Sequence, residues 1–313
     1  MQIDVHQYIW QIILNPNALL QKSTKFWEEI ENKLQKVQIR WRHHVTSNVD
    51  EAKEMIIRLC QGGERHFIVI GGDGSLNIFV NAVMESEIDS TEVYAALIPL
   101  GTGNDWSRSH GYAKSYLNAI DALMKGNFSK HDMGMVETFI ESTVIDTRYF
   151  VNIAGFGFDG LVISNARKST NTIFPRQLYL INLLKTLLAY TPDLASVKSD
   201  GFSATKNIFT IAVGIGQYNG NGMRQCPEAI PNDGLFDVVI VEKLSISKIL
   251  LNIKRLFKGS HVKHLKEASM FRTDYLEIQS DPFIPGEVEG EILTAGTYKI
   301  WCLPSAINFL SVK

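Results

Sequence analysis

Two short loops concentrate the residue types able to handle a phosphate. Residues 66–84 read HFIVIGGDGSLNIFVNAVM, an apolar run, then Gly71-Gly72-Asp73-Gly74-Ser75, then helical spacing that begins at Leu76 and includes Asn77. Residues 95–111, AALIPLGTGNDWSRSHG, repeat the arrangement: an apolar run through Pro99, then Gly101-Thr102-Gly103-Asn104-Asp105. Glycines let backbone N–H groups approach a ligand, and the free N–H groups of a helix start attract anions. Asp73 and Asp105 are anionic themselves, so they face a phosphate through a metal ion or a water. Each loop alone also reads as a tight strand-to-helix turn. Two in succession, each with glycines, a hydroxyl and an aspartate, are hard to explain as turns.

Strands must aim these loops. Strand-like runs at residues 8–14, 37–45, 67–70 and 94–100 alternate with helix-like runs at 26–34, 50–60, 76–84 and 115–125. That alternation is the pattern of βαβ units on a parallel sheet, where ligands gather at the carboxyl ends of strands. Past about residue 132 the texture changes to strand-like segments at 148–153, 207–213, 235–241, 275–279 and 298–303. Helical stretches at 176–190 and 245–257 interrupt them. The expectation is an α/β domain over residues 1–132 and a mainly antiparallel β domain over 133–303.

Composition removes other classes. Of 313 residues, 45% are hydrophobic and 20% charged, which is ordinary globular material with enough apolar surface for a sizeable core. Lys plus Arg number 31 against 33 acidic residues, so binding of nucleic acid by overall charge is not expected. Cys60, Cys226 and Cys302 are few, odd in number and without a CxxC pair, as in a reduced, cytoplasmic protein. The first residues lack the features of a signal peptide. The most apolar stretch, 178–190, contains Asn182 and Lys185 and is too short for ~30 Å of hydrocarbon. His43 and His44, or His261 and His264, give no zinc pattern.

GGDGS and PLGTGND, with the later NDGLFD (232–237) and GEVEGE (286–291), resemble the diacylglycerol kinase catalytic-domain family of lipid kinases. The resemblance runs over essentially the whole chain in order. It implies an α/β nucleotide-binding domain, a β-sandwich domain, and ATP in the cleft between them, with residues 304–313 returning to the first domain. On the ATP side it implies Asn15, Thr46, Gly71, Gly72, Asp73, Gly74, Ser75, Asn77, Gly101, Thr102, Gly103 and Asn104. Asp73 and Asp105 would organise catalytic Mg²⁺, with Asp132 in the same acidic network. In CPEAIPNDGLFDVVIV, Asp233 would bind a structural Mg²⁺ with the carbonyls of Ile230 and Leu235. Without the family, that stretch is equally an Asn-Asp-Gly hairpin turn.

Two departures stand out. Where the family has a glycine after Asn-Pro, this chain has Asn15-Pro16-Asn17-Ala18-Leu19, which puts a leucine in the loop. The family's Asp-Gly-Glu base motif reads Glu289-Gly290-Glu291. If residues 289 and 291 lie on a strand, both carboxylates project to one face.

The resemblance implies a cytoplasmic, peripherally membrane-associated kinase that phosphorylates a lipid hydroxyl, diacylglycerol by default. A sphingoid base, phosphatidylglycerol, a soluble acceptor of the NAD kinase type and a non-catalytic homologue stay open, as does a homodimer. Residues 246–268 hold six Lys/Arg and one Glu, with apolar residues at helical spacing. Such a helix suits an anionic bilayer. Packing of its apolar face on the β domain, with the lysines merely solvated, is the commoner arrangement and the expectation here.

Overall fold

Four parallel strands carry the two glycine loops: β1 (Ile9–Leu14), β2 (Arg40–Val45), β3 (His66–Gly71) and β4 (Tyr94–Pro99). They lie in the order β2-β1-β3-β4. The structure, a computed structural model, describes residues 1–14, 24–111, 116–168 and 176–312. Asn15 and Leu19 therefore lie outside the described residues. Five of the six residues in each of β1, β3 and β4 are buried, as in a parallel sheet covered on both faces, whereas the edge strand β2 is mostly exposed. Helices α1 (Thr24–Lys36), α2 (Val49–Gln61), α3 (Asp73–Glu85), α4 (Asp105–Ser109) and α5 (Tyr116–Lys125) complete the set. Because β3 and β4 run parallel and in register, with Gly71 opposite Pro99, the loops that follow them emerge side by side.

These elements form one compact unit, Met1–Met133 with Gly220–Gly222 and Pro304–Lys313; the second is Gly134–Asn219 with Met223–Leu303. The strands that follow are β5 (Phe128–Ile140), β6 (Thr143–Phe150), β7 (Ile153–Gly157), β8 (Asp193–Ser199), β9 (Phe202–Gly214), β10 (Phe236–Glu242) and β11 (Ala268–Thr273). They continue with β12 (Tyr275–Ser280), β13 (Gly286–Val288), β14 (Glu291–Ile292) and β15 (Thr297–Leu310). The long strand β9 pairs antiparallel with β7, β8 and β10, and β12 pairs antiparallel with β8 and β15. The far end of β15, at Asn308 and Phe309, pairs parallel with β4 in the first unit. Phe150, Phe156, Phe236 and Tyr298 anchor the second unit's core.

Helices α6 (Phe158–Lys168), α7 (Arg176–Ala189), α8 (Ile246–Lys258) and α9 (His261–His264) accompany these strands. Sequence periodicity marks α7 and α8 but misses α6, whose polar residues blur its apolar face. The expected packing of α8 is corrected. Asn252 is the one buried residue of that helix, and Ile246, Leu250, Leu251, Ile253 and Phe257 are exposed. Among the described residues, no helix is long and apolar enough to cross a membrane.

Candidate active site

The two glycine loops touch backbone to backbone. A Cβ on Gly101 would fall 2.5 Å from the Gly72 Cα, and one on Gly72 would fall 2.9 Å from the Gly101 Cα. Only glycine at both positions permits this approach. The Leu100 N–H donates to the Gly71 carbonyl at 2.8 Å, and the Asn104 amide donates to the Gly101 carbonyl at 2.8 Å. Gly71 lies under the Ser75 side chain, and Asn104 takes the left-handed conformation (φ 51°) that turns the chain into α4.

Asp73 ties the loops together electrostatically. It opens α3, yet its carboxylate accepts the N–H groups of Asp105 and Trp106, each at 3.0 Å. Those are first-turn donors of α4 without helical partners, so one carboxylate serves two helix starts. The Asp105 carboxylate in turn accepts the Asn221 N–H at 2.7 Å and has the Arg108 Nε at 3.5 Å. Burial raises the Asp105 pKa, and the neighbouring Asp73 charge adds to the rise. Its buried Oδ1 faces that Arg108 Nε. Gly103 sits beside both carboxylates, where a Cβ would lie 3.3 Å from Asp73 Oδ2 and 3.7 Å from Asp105 Oδ2. Behind the node, the Trp106 ring stacks on His110 at 3.8 Å, and burial lowers the His131 pKa to about 4.

The remaining nucleotide-side candidates sort clearly. Thr46 and Ser75 line one recess with Leu14, Ser47 and Asn48, at the carboxyl ends of β1 and β2. Asn77 is buried in α3 and its carbonyl accepts from Asn81, whereas Gly74, in the first turn of α3, and Thr102, in the second loop, are exposed. Asp132 is buried, and its carboxylate accepts the Ser305 N–H at 2.7 Å, which fastens the returning strand. Among the described residues no three acidic or metal-ligating groups cluster, so Asp132 does not complete a three-carboxylate network with Asp73 and Asp105.

In the second unit the strand expected through 289–291 is corrected. Val288 pairs with Glu291, and the two residues between them have positive φ, 50° at Glu289 and 88° at Gly290. This is a two-residue hairpin turn of the primed kind, so alternation along a strand does not apply. Glu289 Oε1 accepts the N–H groups of Val151 and Asn152 at 2.8 and 2.7 Å, and Glu291 is exposed. The carboxylate that sequence reasoning missed is Glu287, 2% exposed. It accepts the Gly290 N–H at 2.7 Å and the Asn219 amide at 3.3 Å, so it holds the same turn. Burial, with smaller contributions from Asp159 and Glu289, pushes its pKa up to about 8. Asp159, also raised by burial, is held by Gln225 and Thr210. Both acids lean on Gly155, where a Cβ would lie 2.7 Å from Glu287 Oε1 and 3.1 Å from Asp159 Oδ2. No local pattern marks such a residue before the sheet exists.

The expected structural Mg²⁺ site does not fit. The Asp233 carboxylate is paired with the Arg272 guanidinium and accepts the Leu235 N–H at 3.1 Å, while Ile230 is exposed. Arg272 also reaches toward the fully buried Asp237, with its Nε at 3.6 Å. A cation is thus already present at this turn.

A model of the diacylglycerol kinase catalytic domain matches residues 10–136. The YegS C-terminal NAD kinase beta sandwich-like domain matches residues 152–311, just over half of the chain. The chain belongs to this diacylglycerol kinase family, in its YegS-type branch. As a family member it is a kinase, a phosphotransferase with ATP as co-substrate. It is 27% identical to a Pectobacterium atrosepticum protein named probable lipid kinase YegS-like, over 84% of each chain. It is 26% identical to Bacillus subtilis YtlR, provisionally named a lipid kinase, over 96% of this chain and 98% of that one. A Bacillus anthracis structure described as a diacylglycerol kinase superposes with a TM-score of 0.71 at 18% identity, covering 97% and 96% of the two chains. That likeness is one of fold, an α/β unit followed by an antiparallel β-sandwich.

Proposed function

We propose that this family member is a lipid kinase that transfers the ATP γ-phosphoryl group to a lipid hydroxyl, with diacylglycerol as the default acceptor and phosphatidic acid as product. It would work in the cytoplasm, peripherally bound to a membrane. The observation that carries this reading is the interlock of Gly71–Ser75 with Gly101–Asp105. It presents glycine backbone and two adjacent carboxylates at the carboxyl edge of a parallel sheet. The names of the curated relatives supply the lipid class.

The loops bind and orient the phosphates through backbone N–H groups. Asp73 keeps the second loop in place. The two adjacent carboxylates offer hard oxygen ligands that suit a divalent cation, so Asp73 and Asp105 would hold Mg²⁺. When bound, Mg²⁺ neutralises charge on the phosphates. Glu291 is the exposed carboxylate we assign to the acceptor hydroxyl's proton, while Glu287 and Glu289 fix its turn.

Incubation of the purified protein with labelled ATP, Mg²⁺ and mixed lipids should label a lipid. Asp73→Asn and Asp105→Asn should each lose at least ~10² in rate. Label in a soluble acceptor such as NAD, and none in lipid, would favour the NAD kinase type of activity. Absence of any transfer would sink the enzymatic reading.

A further inference from the structure

The helix α8 presents its apolar side to solvent. It is well built, with Ser245 capping its start through the Lys248 N–H and Gly259 closing its end in the left-handed conformation (φ 71°). It is held along one edge. Asn252 is buried, Lys248 Nζ is bonded to Glu267 at 2.6 Å, and the Leu256 carbonyl accepts the Arg224 N–H at 3.1 Å. A helix in a globular unit ordinarily buries its apolar stripe. Here Ile246, Leu250, Ile253 and Phe257 recur at i, i+4, i+7 and i+11, so they form one stripe about 16 Å long, and all four are exposed. Leu251, farther round the helix, is 81% exposed.

The charges beside the stripe identify its occupant. At about 100° per residue, Lys254 and Lys258 stack one turn apart along one border of the stripe. No acidic residue occurs anywhere from 246 to 266. Among the described residues, Glu267 and Glu228 pair with Lys248 and Lys263, and the border formed by Lys254 and Lys258 is positive. A second copy of the chain would bring like charges together. An anionic phospholipid surface matches both features, because it accepts apolar side chains at the acyl boundary and lysine ammonium groups at the phosphates.

The geometry points to α8 as a membrane-docking helix that seats Ile246, Leu250, Ile253 and Phe257 in an anionic bilayer, with Lys254 and Lys258 on the headgroups. Its biological use rests on the lipid-kinase reading, but its physical content is bilayer binding, which is measured separately. The full chain is floated with phosphatidylcholine vesicles, with or without phosphatidylglycerol. Wild type should bind the anionic vesicles and lose most of that binding without phosphatidylglycerol. Each lysine near the surface is worth roughly fivefold in partitioning, so Lys254→Gln with Lys258→Gln should weaken binding about 25-fold. Leu250→Ser with Phe257→Ser should weaken it at least tenfold, since both side chains are removed from the acyl boundary. Transfer to a short-chain, monomeric diacylglycerol should be unchanged in both double variants. If all proteins float alike, or wild type does not float, the docking assignment is wrong whatever the kinase assay shows. If the same substitutions dissociate a dimer in sedimentation and leave vesicle binding intact, the stripe is a self-interface and the proposal fails. Vesicle binding lost as expected, with no lipid transfer in any protein, would keep the docking helix and reject the kinase reading.

Discussion

Glu287 should make the second unit lose stability as pH rises, and Glu287→Gln should remove that loss. The folded protein holds the Glu287 proton up to about pH 8, against 4.5 for the free side chain. Between those values the native state binds one more proton than the unfolded state, so stability is full at low pH and falls as pH rises. Each pH unit of offset is worth about 1.4 kcal/mol, giving on the order of 3–5 kcal/mol by about pH 8.5. The cause is burial of a carboxylate with Asp159 close by, partly offset by the Gly290 and Asn219 donors. Glutamine matches the shape, keeps an acceptor for the Gly290 N–H and never ionises. Unfolding would be followed by calorimetry and by denaturant at several values from about pH 5 to about pH 8.5. At the acid end, wild type and variant should agree within about 1 kcal/mol; at the alkaline end the variant should be the more stable. Asp159, also raised by burial, still titrates in both, so a common slope remains. Parallel curves, or a variant weaker at every pH, would show that the Glu287 carboxyl is not a buried neutral acid.

Gly101→Ala should separate the two loops, because the new methyl meets the Gly72 Cα; a cost of about 1–3 kcal/mol and weaker binding of an ATP analogue are expected, by melting and by equilibrium titration. Glu291→Gln should lower kcat by at least ~10² with a smaller effect on melting than Glu289→Gln, which should lower stability by about 1–2 kcal/mol by weakening the bonds to Val151 and Asn152. Equal effects of the two on melting would contradict the roles given to them. Arg272→Ala removes the countercharge of Asp233 and of buried Asp237 and should cost about 1–3 kcal/mol, less than for a fully buried pair because Arg272 is partly exposed. Mg²⁺ should stabilise that variant and not wild type through this turn; a Mg²⁺ response in wild type that Asp233→Ala abolishes would restore the metal site.

The nucleotide-side loops were legible because their determinants are local. Residues 66–85 and 94–109 carry uninterrupted apolar runs, then glycines, then helical spacing, and parallel βαβ geometry brings consecutive loops to one edge. The five-residue helix at Asp105–Ser109 was too short to leave a periodic trace. The strand geometry expected for residues 289–291 does not hold, since the alternation rule presumes extended backbone and Glu289 and Gly290 have positive φ. Its Glu-Gly step between paired residues was the available signal.

What the sequence determined by itself was the class of chemistry, the parallel first unit and the antiparallel second one, because residue type and period act over a few neighbours. Only the tertiary structure decided which carboxylates are loaded. Burial raised Glu287, and Arg272, 39 residues along the chain, claimed Asp233. The amphipathic pattern of α8 was equally plain in the sequence, but not which side of the helix the sheet would cover. That depended on Asn252 and Lys248 finding places on the unit while Leu250 and Leu251 did not. Desolvation and partner choice are properties of the assembled surroundings, and a linear pattern does not contain them.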